Sequence, residues 1–443
     1  MQQDATQAPE SDDDEVICTG LGASPGTNTG VARVLDGHGD VDRVDEGDVI
    51  VTEMTMPEMV PAMKRAAGIV TDEGGITSHA AIVSRELGVP AVVGSGNATS
   101  AIENGEYIAV DGERGRITPA TESAETTTET ETTTTPERPS APATTSTGVK
   151  VNVSIPEAAE RAAATGADGV GLLRCEHIIL GMQKTPRKYV NDHGEEAFVE
   201  AMAEEVIKVA DPFYPRPVQA RTLDAPTDEL AELEGGSEEP HEHNPMLGWR
   251  GVRRSLDEPE LTKLELRAFK RVYEQGYDNL RVMFPLPNDP SDVAEARELM
   301  REVGISPDDR TWGAMIETPA SVRQIDAIIE TGIDFVALGT NDLVQYILAV
   351  DRNNGQVADR FDELHPSVLD AVSEVIEACN EHGVETTITG QAGSKPEMAR
   401  FLVQEGISSV SANIDAVDTV REVIDRAERE MLLEFARERL ASR

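Results

Sequence analysis

The sequence predicts an α/β chain of two domains: a small mixed β/α domain over residues 16–119 and a (β/α)₈ barrel over residues 148–443. Three observations predict it. In residues 148–443, eight short apolar runs alternate with helical patterns, the count and length an eightfold barrel needs. In residues 16–119, strand-like runs between Gly/Asp turns are interrupted by a single helical stretch. Between them, residues 120–147 (ATESAETTTETETTTTPERPSAPATTST) are rich in Thr, Glu, Pro and Ala without apolar periodicity, the composition of a flexible linker. An open doubly wound sheet fits less well, because no glycine-rich first turn is evident.

The elements follow in order. Residues 1–15 (MQQDATQAPESDDDE) form an acidic, polar tail expected to be disordered. They lack the basic start and apolar core of a signal peptide, and no apolar run approaches the roughly 20 residues that span a bilayer. A cytoplasmic chain with no membrane partner is therefore expected. The first domain reads as VICTGLGAS, GVARVL, DVIVTEM, AGIVTD, PAVVGS and YIAVDG, with a helix over Ser78–Leu87. The barrel strands read as VKVNVSI, GVGLLRCE, PVQARTLD, LRVMFPL, WGAMIET, FVALGTND, ETTITGQ and SVSANI. Helices are expected at Pro156–Thr165, Leu261–Gly276, Pro290–Val303 and Ser321–Thr331, with a charged closing helix over Ala416–Ala441.

The 82 acidic residues against 39 basic give a net charge of −43. Such a balance excludes nucleic acid and anionic membranes as partners. Spread so diffusely, it reads as a solvated surface adapted to high salt, where screening suppresses self-repulsion. Cys18, Cys175 and Cys379 show no metal spacing and read as reduced thiols.

Chemistry in a (β/α)₈ barrel sits at the C-terminal ends of the strands. Polar residues close these runs: Arg174 and Glu176, Arg221 and Asp224, Glu317, Asn341 and Asp342, Thr389 and Gln391, and Asn413. One such residue only starts a loop; several, mixing Arg with carboxylates, exceed what turns require. Arg174, Arg221, Arg250 and Arg352 are candidate anion ligands, since the guanidinium fork matches phosphate and carboxylate oxygens. Glu317 and Asp342, on successive strands, supply the hard oxygens that Mg²⁺ prefers, and Asn341 adds an amide beside them. Cys175 lies between Arg174 and Glu176, so strand alternation turns it away if those two point inward. In the first domain, Gly74–Ile82 (GGITSHAAI) reads as a sharp turn into a helix. Thr77 or Ser78 caps it, and His79 in its first turn is placed to carry a phosphoryl group. His241-Glu242-His243 has the wrong spacing to converge on a metal and reads as loop.

The stretch Glu73–Gly94 (EGGITSHAAIVSRELGVPAVVG), with the preceding TEMTMPEMVPAMKRAAGIVTD, resembles the phosphohistidine segment of phosphoenolpyruvate (PEP)-utilising enzymes. GVGLLRCE, NPMLGWRGVR, AMIETPAS, LGTNDLVQYILAVDRNN and TTITGQAGS extend the resemblance to the PEP synthase type. It covers nearly all of residues 16–435 except the linker. It implies a swivelling β/β/α phosphohistidine domain followed by a PEP/pyruvate-binding barrel. By it His79 is the phosphorylated histidine, and Arg174, Arg221, Arg250, Asn341, Arg352 and Gln391 contact substrate. Glu317 and Asp342 hold Mg²⁺. It also implies a homodimer through the barrel.

Two departures stand out. The ATP-grasp domain of such enzymes is absent from this sequence, so a separate ATP-grasp polypeptide is the expected partner for ATP use. The family places a proton-transferring cysteine before Gly-Gln in the seventh-strand motif; here Thr389 occupies that position, and an unactivated hydroxyl does not titrate near neutrality as a thiol does. The leading expectation is a PEP synthase-like phosphotransferase, with His79 and Thr389 at the reacting positions. The alternative is a non-catalytic regulatory or ligand-binding relative. Transfer to a carrier protein fits least, for want of a carrier-docking domain.

Overall fold

The computed structural model describes residues 16–35, 41–56, 59–75, 78–121, 144–352, 354, 356–357 and 360–441. The expected acidic tail and residues 122–143 of the expected linker lie outside the described residues, as does Thr77. The chain divides into two compact units, Met1–Thr134 and Thr135–Arg443.

The first unit is an eight-stranded mixed sheet. Its strands are β1 (Cys18–Thr19), β2 (Leu21–Ser24), β3 (Thr27–Leu35), β4 (Val49–Thr52), β5 (Gly68–Thr71), β6 (Ala91–Val93), β7 (Tyr107–Asp111) and β8 (Arg116–Pro119). Their order is β1-β8-β7-β3-β4-β5-β6-β2. The parallel strands β4 and β5 are buried at every residue, as the unbroken apolar runs VIVT and GIVT require when both faces are covered. The antiparallel β7 alternates buried Ile108 and Val110 with partly exposed neighbours, the period-two pattern of a half-buried strand. The sequence reading missed β8, whose only large apolar residue, Ile117, enters the core beside Val49, Val51, Val70 and Val110. The helix His79–Leu87 starts at Ser78, whose side chain accepts from Ala81 N–H, and stops at Gly88 in the left-handed conformation (φ 73°). Ser78, of the two residues the sequence left open, is thus the cap.

In the second unit, the eight apolar runs become β9 (Gly148–Val153), β10 (Val170–Arg174), β11 (Val218–Arg221), β12 (Leu280–Phe284), β13 (Trp312–Ile316), β14 (Phe335–Gly339), β15 (Glu385–Thr389) and β16 (Ser409–Ala412). They are parallel and close into a barrel, β16 pairing with β9. Leu172, Met283, Met315, Phe335 and Ala337 pack together as an apolar cluster. Register carries the alternation from strand to strand: Met315 pairs with Ala337, Ala337 with Thr387, and Gly339 with Thr389.

Three local expectations change. β10 ends at Arg174 and a helix begins at Cys175, so strand alternation does not set the direction of Cys175, which is nonetheless fully buried. The stretch Ser321–Thr331 is two short helices, Pro319–Arg323 and Ile325–Ile329. They break at Gln324, whose amide reaches out to Asn288 O and Asp289. The helix expected from Pro156 opens as a 3₁₀ turn, Pro156–Ala158. The closing helix, Val417–Ala441, buries Val417, Val420, Ile424 and Ala427, while Met431–Ala441 are exposed throughout. Glu428 on it accepts from Ser146 N–H (2.9 Å) and Thr147 N–H (2.7 Å). Among the described residues, no helix is long and apolar enough to cross a membrane.

Candidate active site

The C-terminal ends of the barrel strands gather a buried network of guanidinium and carboxylate groups. Arg221, at the end of β11, donates to Glu176 and lies 2.8 Å from Asp224 Oδ2. Arg250 forks onto Asp224, Nε to Oδ1 and Nη2 to Oδ2, both at 2.7 Å. Its Nη1 reaches Asp342 Oδ1 at 3.4 Å. Arg352 Nη2 stands 4.0 Å from the same Asp342 oxygen. Glu317 Oε2 accepts the Leu286 N–H at 3.0 Å, a donor aimed by Leu286's left-handed backbone (φ 55°). Carboxylate oxygens of Asp224, Glu317 and Asp342 lie within 4.8 Å of one another. Each of these three residues is at most 4% exposed.

Gly339 leaves the room for this: a Cβ there would sit 2.3 Å from Glu317 Oε1. Asn341 Oδ1 accepts the Gln391 N–H at 3.4 Å, which ties the helix Thr340–Leu348 after β14 to the turn after β15. Arg174 Nη1 donates to Ser154 at the end of β9. Thr389 is fully buried, and its hydroxyl donates to Leu338 O at 3.2 Å. A cavity of about 650 Å³ opens beside Arg250, walled by Met246, Leu286, Thr318, Gln345 and Tyr346.

Burial opposes ionisation throughout this cluster, and the neighbours decide each outcome. Burial disfavours the Asp224 carboxylate, but Arg250 and Arg221 outweigh it and hold its pKa at about 2. Burial also works against the Arg250 charge, which Asp224 and Asp342 more than restore. Glu317 goes the other way: burial, then the Asp224 and Asp342 charges, push it up to about 8. Three converging carboxyl groups, with Glu317 held protonated by burial and then by the other two charges, form a hard-oxygen site that a divalent cation fits. Among the described residues, the buried Arg352 Nε and Nη1 have no protein acceptor, as suits a donor kept for an anionic ligand.

In the first unit, His79 Nδ1 lies 2.8 Å from Thr55 Oγ1. His79 is partly exposed, yet its Nε2 is enclosed, and burial pushes its pKa down to about 4. The ring is neutral at pH 7, the nucleophilic form.

The candidate site residues of the barrel lie at this end, and Arg221, Arg250, Glu317, Asp342 and Arg352 join one network. Asp224, third member of the carboxylate group, had been noted only as a strand-end residue; its signal was its position three residues past Arg221 in QARTLD. Thr55 was missed, for nothing in TEMTMPEM marks it. The loop His241-Glu242-His243 is anchored through Glu242, which accepts from Trp249 N–H (3.1 Å) and Thr227 (2.8 Å).

Comparison with known proteins decides the family. The profile for the PEP-utilising enzyme, PEP-binding domain, matches residues 130–429, and that for the PEP-utilising enzyme, mobile domain, matches residues 44–115. The chain belongs to the PEP-utilising enzymes. It is 54% identical over 431 residues to the phosphoenolpyruvate synthase of Pyrococcus furiosus, covering 96% of this chain and 53% of that protein. The probable phosphoenolpyruvate synthase of Pyrococcus abyssi is 56% identical over 428 residues, covering 96% and 52%. That of Archaeoglobus fulgidus is 50% identical over 432 residues, covering 97% and 57%. The chain thus spans 52–57% of the length of these PEP-utilising relatives.

Proposed function

We propose that this chain is a PEP synthase-like phosphotransferase that moves a phosphoryl group between His79 and enolpyruvate. The observation that carries it is the convergence of Asp224, Glu317 and Asp342 beneath Arg221, Arg250 and Arg352 at the ends of the barrel strands. Mg²⁺ held by Glu317 and Asp342 would supply positive charge against the developing negative charge of phosphoryl transfer. The donors of Arg174, Arg221, Arg250, Asn341, Arg352 and Gln391 bind the phosphate and carboxylate of the substrate and fix its orientation. With Thr55 Oγ1 accepting from Nδ1–H, the Nε2 lone pair of His79 attacks phosphorus as the P–O bond to the enol breaks. The enolate then takes a proton at its terminal carbon to give pyruvate, and the reverse sequence makes PEP.

Thr389 stands at the proton-transfer position, but its hydroxyl proton is engaged by Leu338 O. Water therefore delivers the proton, and this step is slow. Charging His79 from ATP calls on an ATP-grasp polypeptide, the partner expected to make AMP formation depend on both chains. A cytoplasmic location is part of this proposal.

The test is incubation with Mg²⁺ and phosphate-labelled PEP in high salt, beside His79→Ala. Acid-labile label on the chain and pyruvate in solution, both lost in His79→Ala, are expected. Bound PEP with no label on either protein would sink the reading in favour of a ligand-binding role.

A further inference from the structure

Below its mouth the barrel interior turns polar again. A (β/α)₈ barrel fills its centre with layers of four side chains drawn from alternate strands. The strand registers place Asn152, Arg221, Met315 and Thr389 in one layer. Two residues earlier on the same strands, Lys150, Gln219, Gly313 and Thr387 form the layer beneath. Branched apolar side chains dominate such layers, and none of these four residues is one. Gly313 adds no side chain, and the Phe335 ring takes its space: a Cβ there would lie 2.9 Å from Cδ2 and Cε2.

Lys150, Gln219 and Thr387 are 7%, 0% and 1% exposed. Among the described residues, Gln219 Nε2 and Oε1 and Thr387 Oγ1 are enclosed without a partner. Polar groups higher on the same walls are matched: Ser411 donates to Asn152 (2.7 Å), whose amide donates to Gly390 O (3.3 Å). A buried donor or acceptor left unmade is costly, so each of these three orphaned atoms calls for a partner.

Charge decides what that partner is. Burial and then Arg281 push the Lys150 amine down to about 8, against the pull of Glu385 and Asp168, so it is still cationic at pH 7. Glu385 is engaged by Arg281 at 2.8 Å. Asp168 accepts from Val149 N–H at 2.7 Å and from Arg421 at 3.4 Å. Water would fill the hydrogen bonds but leave the ammonium without a counter-charge. A metal cation would meet that ammonium. The apolar side chains of Leu172, Met283 and Ala337 separate the layer from the carboxylates of the mouth.

We infer that Lys150, Gln219 and Thr387 hold a small monovalent anion of halide size, such as chloride, inside the barrel. Lys150 supplies the charge, and the Gln219 amide and Thr387 hydroxyl supply neutral donors. The Gln219 carbonyl is left to accept from the ammonium. The ion enters from the N-terminal end of the strands, where the partly exposed Arg281–Glu385 pair stands. Because it binds the folded barrel, it stabilises the chain by mass action, over and above the screening that any salt gives. The site is independent of phosphoryl transfer at the mouth.

Two measurements on the full chain test it. Crystals grown in KBr should show an anomalous peak among Lys150, Gln219 and Thr387. In solution, the thermal midpoint should be about 2–4 °C higher in KCl than in an equal concentration of potassium gluconate, whose anion is too large to enter. That increment should vanish in Lys150→Met, and Thr387→Val, close to isosteric, should weaken the chloride dependence by about tenfold in concentration. Bromide on surface arginines only, ordered water in the layer, no difference between chloride and gluconate, or an increment that survives in both variants would each overturn the proposal.

Discussion

At Gly339 a single missing Cβ decides whether the acidic cluster can assemble. Glu317 Oε1 occupies the space a side chain would take, so Gly339→Ala must displace that carboxylate or the strand. Mg²⁺ affinity is expected to fall by about 10- to 100-fold, as isothermal titration would show, with the barrel still folded. His79 carries a pH dependence whose sign follows from its lowered pKa. The unfolded chain binds a proton near pH 6.5 and the folded one only near pH 4. Stability of the first unit is therefore fully present above pH 6.5 and declines as pH falls toward 4, by at most about 3 kcal/mol. Chemical denaturation at pH 7.5 and pH 5 should show it, and His79→Asn should flatten the difference. Thr389→Cys restores a titratable proton donor and is expected to speed exchange of the pyruvate methyl protons with ²H₂O by at least tenfold, read by NMR. Arg174, Arg221 and Glu317 were legible in the sequence because they close apolar strands, whereas Arg250 and Arg352 lie off the strands. Thr55 and the Leu286 N–H were not legible, since a hydroxyl in a loop and a backbone amide carry no pattern.

At the scale of elements, short apolar runs located all eight barrel strands: WGAMI and FVALG are unbroken, as strands covered on both faces read, while GVKVNV, VQAR and ETTIT interleave polar residues. The reading failed where local hydrogen bonding outvoted the pattern. The stretch after β13 reads as one helix, yet Gln324 uses its side chain to hold Asn288 and Asp289 and the helix breaks there. β8 was too short and too polar to register, since only Ile117 of RITP is buried. The closing helix was legible as an element, and its packing gives a direct test. Ile424 is fully buried, so Ile424→Ala is expected to cost 2–5 kcal/mol or so in urea unfolding of the barrel. Leu433→Ala, on the exposed part, should cost well under 1 kcal/mol or so.

For the molecule as a whole, the charge of −43 makes salt the dominant solution variable. Self-repulsion destabilises a compact chain of this charge and is screened as ionic strength rises. The thermal midpoint is therefore expected to climb between 0.1 and 2 M KCl, measured by calorimetry. A midpoint that falls over that range would remove the high-salt reading of the surface. Against this background the barrel mouth is an island. Arg221, Arg250 and Arg352 meet Glu176, Asp224 and Asp342 there, Arg174 donates to Ser154, and burial holds Glu317 neutral, so the acidic charge of the chain is not continued into the cleft. Under the proposed function, a multiply charged anion such as PEP meets the repulsive field of the chain on approach and the guanidinium donors only inside the cleft. Its association rate is then expected to rise with salt, the reverse of what a basic funnel would give.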